Sequence, residues 1–257
     1  MLKYAQQSIF YNIMEILEQK KFLINSLLDD MMSVDFDNSS KQNSILSFDC
    51  GLIPYKQAYE IQLQIFEIIK SKSKPGVMLL LEHTPVITVG SNKNLRNLLV
   101  KEERLRLQDI ELVQSNRGGD ITLHAPGQIV CYTIINLALL EKDLPLFVYN
   151  LEEVAIDVLK KFGIYASRVK GHRGVFVDNH KIASIGLRAK KWVTLHGFSL
   201  NVNNDLKYFD YIIACGLKDY PQTSMKKILK RPVNICNVKE QIIKSFGNIF
   251  KIPVKKI

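Results

Sequence analysis

Arg117-Gly118-Gly119-Asp120-Ile121-Thr122-Leu123-His124-Ala125-Pro126-Gly127-Gln128 packs a fixed cation, paired glycines, a histidine and a Pro-Gly turn into one short stretch. Adjacent glycines let the backbone take φ > 0 and let a ligand reach main-chain N–H groups with no Cβ in the way. Arg117 sets five donors in a planar fork beside them, suited to a carboxylate, a phosphate or a polarised carbonyl. Ile121 and Leu123 alternate with Thr122 and His124, so the two polar side chains share one face of a short strand, which Pro126-Gly127 ends in a turn. Spacing alone leaves two readings open: a ligand-binding loop, and a hairpin with a surface arginine and a hydrogen-bonded histidine.

Outward from that stretch, Ile110 to Gln114 predicts a strand entering the loop and Ile129 to Leu137 a long β-branched strand leaving it. Upstream, Ile45 to Phe48 reads as a strand. Ala58, Ile61, Ile65 and Ile69 give a helix that stops before Pro75-Gly76, and Val77 to Leu81 is a buried-strand run. Glu82-His83-Thr84-Pro85 interrupts that run, Val86 to Val89 resumes it, and Gly90 to Asn94 is a polar loop. Downstream, Leu151, Val154, Ala155, Val158, Leu159 and Phe162 mark a helix closed by Gly163. Two hairpins follow: Gly174–Val177 and Lys181–Ile185 around Asp178-Asn179, then Trp192–Leu195 and Phe198–Val202 around His196-Gly197. Val238, Ile242, Phe246 and Ile249 predict a closing helix on a second, smaller layer. Adjacent hairpins with segregated helices indicate an α+β fold.

The first part of the chain reads differently. Apolar residues from Ile9 to Met31 recur at helical spacing, and a polar linker runs from Ser33 to Ser44, so residues 1–44 form an amphipathic helix and linker ahead of a main domain over 45–257. With 257 residues there is ample chain for a full core, and no apolar run reaches the ~20 residues a bilayer requires. Glu15, Glu18, Asp29 and Asp30 lie within the N-terminal segment and the first arginine is Arg96, which fits neither a secretory signal nor a transit peptide; the expected compartment is the cytoplasm. Cys50, Cys131, Cys215 and Cys236 show no C-x-x-C pair, so neither a zinc site nor a disulfide framework is indicated. The formal charge of +10 is concentrated between Pro221 and Ile257, which holds nine basic residues and one acidic, so it points away from a nucleic-acid groove. No G-x-G-x-x-G supports a dinucleotide site.

Two residues stand out chemically. Cys215 ends an apolar run and is followed by Gly216, an arrangement that presents a thiol at a strand end; a reactive thiol also needs a nearby cation or base. Lys181, just past a hairpin turn on a strand whose Ile182 and Ser184 face the other way, is a candidate for that cation and equally reads as an exposed lysine. Ser184-Ile185-Gly186 and Gly197-Phe198-Ser199 offer small residues and open backbone where an acyl chain or carbonyl fits, or else hairpin packing.

R-G-G-D-I-T-L-H-x-P-G-Q, then K-I-A-S-I-G, then W-V-T-L-H-G-F-S-L-N-V, then I-I-A-C-G, with L-E-H-T-P-V-I-T-V-G ahead of them, resembles the lipoyl(octanoyl) transferase family from about Phe48 to the end of the chain. The resemblance implies the α+β catalytic domain of biotin and lipoate protein ligases: a mixed, largely antiparallel sheet with helices packed on it. It implies octanoyl transfer from acyl carrier protein to a lysine of lipoyl-accepting domains, those of 2-oxoacid dehydrogenase complexes and the glycine cleavage H protein, with no metal, ATP or other cofactor and no nucleic-acid or membrane partner. Cys215 matches the family's acyl-thioester cysteine and Lys181 the lysine that lowers its pKa and relays protons. Arg117 to His124, Ser184 to Gly186 and Gly197 to Ser199 match segments lining the acyl site. His124 or main-chain N–H groups of the glycine turn would then face the oxyanion. Three positions depart from the pattern: Ala125 for glycine, Leu123 for an aromatic residue and Ala214 for proline. The competing readings are an ATP-dependent lipoate or biotin ligase and a non-catalytic binder of acyl carrier protein or a lipoyl domain.

Overall fold

β6 (Gln128–Ile135) is buried along its whole length because it lies at the middle of a sheet covered on both faces. The computed structural model describes residues 44–92 and 95–257, and the N-terminal helix and linker read from the sequence lie, apart from Ser44, outside them. β6 pairs antiparallel with β2 (Gly76–His83) on one side and β10 (Val193–Asn201) on the other. β1 (Ile45–Ile53) and β11 (Val254–Lys256) extend the β2 edge in parallel pairing. β9 (His180–Lys190), β8 (His172–Val177) and β7 (Ser167–Val169) continue antiparallel from β10, which gives the order β11-β1-β2-β6-β10-β9-β8-β7. This is the mixed, largely antiparallel α+β sheet the sequence predicts.

A second sheet, β4-β3-β5, is made of β3 (Val86–Val89), β4 (Glu111–Gln114) and β5 (Ile121–His124). Glu82 and His83 therefore continue β2, and Thr84-Pro85 separates two strands of different sheets rather than interrupting one. This sheet has its own core, in which Ile87, Val89, Ile121, Leu123 and Ala125 meet Leu105, Phe209, Ile212 and Ala214.

The helices follow from their apolar spacing. Helix α1 (Tyr55–Lys72) buries Ala58, Ile61, Ile65 and Ile69, the stripe read from the sequence. α2 (Glu102–Arg106) is a single short turn on the second core. α3 (Leu144–Lys161) is capped by the Asp143 side chain, which accepts from Leu146 N–H, and is followed by Gly163 at φ +75. After α4 (Met225–Leu229), α5 (Ile235–Phe250) buries Val238, Ile242 and Phe246. It packs against α3 through Phe147 and Phe250, ring centroids 5.1 Å apart, so the closing helix covers the main sheet's core instead of forming a separate layer. Among the described residues no helix is long and apolar enough to cross a membrane.

One hairpin forms as read and one does not. Asp178 and Asn179 take φ of 46° and 60°, the paired left-handed residues of a two-residue turn between β8 and β9. The second predicted hairpin is absent, because β10 runs unbroken from Val193 to Asn201 and pairs with β9 with no register shift through His196 and Gly197. His196 keeps φ at +64°, and a Cβ on Gly197 would lie 2.0 Å from Cys131 O, so β10 is pressed onto β6 at this point. The Gly here serves close strand approach, not a turn.

Candidate active site

Lys181 is the second residue of β9 and is buried, at 2% exposure, against its reading as a surface hairpin lysine. Its backbone is pinned by the segment that follows Cys215: Lys181 N–H donates to Pro221 O (2.9 Å), and Thr223 N–H donates to Lys181 O (2.9 Å). Its Nζ donates to Arg173 O at 2.7 Å and lies 5.5 Å from the Phe176 ring centroid. Room for the side chain comes from Gly174, at φ +121, where a Cβ would sit 2.6 Å from Lys181 Cε. Gly174 is itself held by Glu152, whose carboxylate accepts from its N–H at 2.8 Å. Among the described residues no carboxylate lies within ion-pair distance of Lys181 Nζ.

The pairing of β8 with β9 shifts register between Val175↔Ala183 and Phe176↔Lys181, so β9 carries one extra residue. That bulge reverses the alternation beyond it. Lys181 and Ser184, which strict alternation sets on opposite faces, consequently line the same cavity.

Cys215 comes from the other layer. It lies within a 3-10 turn, Ala214–Gly216, rather than at a strand end, with φ 57° and ψ 17°. Ile212 and Ala214 anchor the turn in the second core, and Ile213 N–H donates to Asn97 O at 2.8 Å. Gly216 packs where a Cβ would approach Asp120 Oδ2 to 3.2 Å and Asn97 Nδ2 to 3.3 Å. Asp120 in turn accepts from Asn97 Nδ2 and from Ile121 N–H. A non-glycine residue in left-handed backbone is uncommon and costs of order 1 kcal/mol, and it persists here because the turn is tied on both sides.

Cys215 and Lys181 line one cavity of about 390 Å³ between the two layers. Of the other residues singled out from sequence, Arg117, Gly118, Gly119, Asp120, Thr122, His124, Ser184, Ile185, Gly186, Gly197, Phe198 and Ser199 share that lining. Ile121 and Leu123 do not: both are fully buried in the second core, because strand alternation turns them away from Thr122 and His124. Ala125 has no positive φ, so the glycine expected there is not demanded by the backbone.

Arg117 plays a different part from the open fork read in the sequence. Nε donates to Thr88 Oγ1 (3.1 Å), Nη2 to Thr88 O (2.6 Å) and Oγ1 (2.9 Å), and Nη1 to Gly118 O (3.2 Å). Most of its donors thus lock the glycine loop to β3. Burial pushes the guanidinium below its ordinary pKa, while the charges of Cys215, Tyr55, Tyr132 and Asp120 pull it back up. It remains a cation beside the thiol.

His124 is assigned by its network. Gln128 Nε2 donates to Leu123 O (3.2 Å) and Asn201 Oδ1 (2.8 Å), so Gln128 Oε1 must accept from His124 Nδ1–H at 2.7 Å. Its Nε2 then carries a lone pair, and an imidazole in that tautomer offers an oxyanion no donor. Burial and the neighbouring His83 hold its pKa well below the usual imidazole value. The Gly118 N–H is likewise committed, to Leu187 O at 2.8 Å.

Sequence reasoning missed the rings behind Lys181 and Cys215. Tyr55, Tyr132 and His196 line the cavity, and His83 lies beneath them, donating through Nδ1 to Ile53 O (2.8 Å) and accepting at Nε2 from Tyr132 O–H (2.7 Å). Burial lowers the pKa of His83 to about 4 and that of His196 to about 3. The available signal was a histidine set within an apolar strand run, since β2 and β10 are buried along nearly all of their length and carry His83 and His196 inward with them. The mouth residues Gly171, His172, Arg173 and Leu217 had no sequence signal.

Residues 54–247 match the family model of the lipoyl protein ligase A/B catalytic domain. The octanoyltransferase of Caldanaerobacter subterraneus subsp. tengcongensis is 43% identical over 208 residues, covering 80% of this chain and 90% of that protein. The octanoyltransferase of Maridesulfovibrio salexigens is 39% identical over 202 residues, covering 79% and 94%. Among solved structures, lipoate-protein ligase A bound with ATP superposes with a TM-score of 0.66 at 13% identity, over 84% of this chain and 88% of that one. A bi-partite lipoate protein ligase from Thermoplasma acidophilum gives 0.65 at 14% identity, over 84% and 86%. At such identities those structures speak for the fold alone. The two full-length relatives and the family match together place the chain among the lipoyl protein ligase A/B catalytic domains, in the octanoyltransferase family of acyltransferases.

Proposed function

We propose that the chain transfers an octanoyl group from acyl carrier protein to a lysine of a lipoyl-accepting domain through a thioester on Cys215. The observation that carries this reading is the shared cavity: a thiol from one layer and a buried lysine from the other line one space of about 390 Å³. Lys181 Nζ has a single neutral partner, Arg173 O, so a thiolate at Cys215 is the natural counter-charge for its ammonium.

In the first half-reaction the Cys215 thiolate adds to the donor's acyl carbonyl, the carrier thiolate leaves, and the Lys181 ammonium gives it a proton. One C–S bond replaces another, so the acyl group stays reactive toward an amine. In the second, the acceptor lysine amine adds to the Cys215 thioester and the cysteine leaves as thiolate. The now neutral Lys181 takes the proton released from nitrogen, which restores both groups. The acceptors are the lipoyl domains of 2-oxoacid dehydrogenase complexes and the glycine cleavage H protein, and the thiol chemistry suits the reducing cytoplasm.

Intact-protein mass spectrometry after mixing with octanoyl-acyl carrier protein tests the reading. One octanoyl adduct is expected, absent from Cys215→Ala. Product formation that needs ATP and free octanoate and survives Cys215→Ala would establish a ligase instead, and no adduct with no product would leave a binder.

A further inference from the structure

We propose that His196 is the wall that sets how long an acyl chain the cavity accepts; the identity of the chain rests on the transferase reading above. Gly171 and Arg173 are exposed and mark the mouth of the cavity, whereas Tyr132, His124 and His196 are buried and mark its closed end. Behind His196 lies a second, larger cavity of about 720 Å³ between α1, the end of β4 and β9, to which the mechanism gives no role.

The partition between the two is a pair of stacked rings. The His196 ring lines the catalytic cavity and stacks on Tyr59 at 5.6 Å and 6°, and Tyr59 lines the second cavity. His196 Nε2–H donates to Asn116 Oδ1 at 2.7 Å, and Asn116 Nδ2 donates to Tyr59 O–H at 2.6 Å; Asn116 also lines the second cavity. The other ring nitrogen, Nδ1, is buried with no hydrogen-bond partner. An imidazole that forgoes one hydrogen bond and keeps the other on the partition is held there as a barrier. Its backbone agrees, since φ of +64° within an unbroken strand sets the ring's direction.

Removing the His196 ring deepens the catalytic cavity as far as the Tyr59 ring. His196→Gly does so and suits the positive φ. The test uses the full chain with octanoyl and dodecanoyl thioesters of acyl carrier protein, read as adduct mass on Cys215. Wild type is expected to load octanoyl and to discriminate against dodecanoyl, and His196→Gly to raise the dodecanoyl-to-octanoyl ratio at least tenfold. An unchanged ratio, or a wild type that loads both equally, overturns the proposal. A wild type that loads neither overturns the transferase reading instead; binding of free dodecanoate then decides the wall, with tighter binding by His196→Gly upholding it and equal binding refuting it. His196→Asn, shorter than the imidazole and tolerant of left-handed backbone, carries the same expectations should His196→Gly fail to fold.

Discussion

Lys181 and Cys215 face one cavity but are held by opposite means. Lys181 sits in the eight-stranded sheet, where bulged pairing, a glycine that clears its path and hydrogen bonds on both sides of its backbone fix it. Cys215 sits on a left-handed turn of the smaller layer, fixed by Ile212 and Ala214 packing and by the contact of Gly216 with Asp120 and Asn97. The sheet-borne group is placed by register and burial. The turn-borne group is placed by a few local ties.

That contrast can be broken most severely at the thiol. On the proposed mechanism Cys215→Ala is expected to lower octanoyl transfer by roughly 10⁴ or more, because it removes the nucleophile that would hold the acyl group; rates from a coupled transfer assay check it. Lys181→Ala should retain adduct formation at raised pH while transfer falls by ~10², the range of a general acid–base group. A rate close to wild type removes Lys181 from the chemistry.

The glycines sharpen the comparison. Gly174→Ala forces a Cβ to 2.6 Å from both Lys181 Cε and Ala183 O. It should cost roughly 1–3 kcal/mol of stability and about tenfold in transfer, because a strained sheet position is over-determined by its neighbours. Gly216→Ala meets Asp120 and Asn97 at 3.2 and 3.3 Å. A similar loss of transfer is expected there with a smaller stability loss of about 1–2 kcal/mol, set by the left-handed backbone of Gly216 (φ +69) rather than by a backbone clash. Thermal melts beside rates separate the two. Equal melting shifts would contradict the contrast.

The pH dependence of stability tests the buried rings themselves. His83 and His196 have folded pKa values lowered to about 4 and about 3 from 6.5, so the unfolded chain binds more protons as pH falls. Stability should be fully present above about pH 6.5 and decline below it at up to about 1.4 kcal/mol per pH unit per histidine until those folded values are reached. Urea denaturation at pH 7, 6 and 5 measures the slope. His83→Gln should flatten it.

Much of the architecture was legible because it is periodic. The stripe of Ala58, Ile61, Ile65 and Ile69, the Gly163 stop and the Asp178-Asn179 turn are local events, decided within a few residues. The family blocks likewise named most of the cavity lining. The failures share one cause. His196-Gly197 looks like a turn locally, and only pressure of β10 on β6 keeps it in a strand; Arg117 looks like a free fork, and Thr88 on β3, the strand between β4 and β5, occupies most of it.

The α+β class and the family were already written in residue types and their spacing along the chain, which is where that information lies. Tertiary structure alone decided that Lys181 is buried, that Ser184 shares its face, that Ile121 and Leu123 belong to a core and that three histidines are held neutral around the cavity. Each of those depends on which strand lies beside which, and on how much water is excluded there. Such quantities arise from contacts between residues far apart in the chain, which no local pattern encodes.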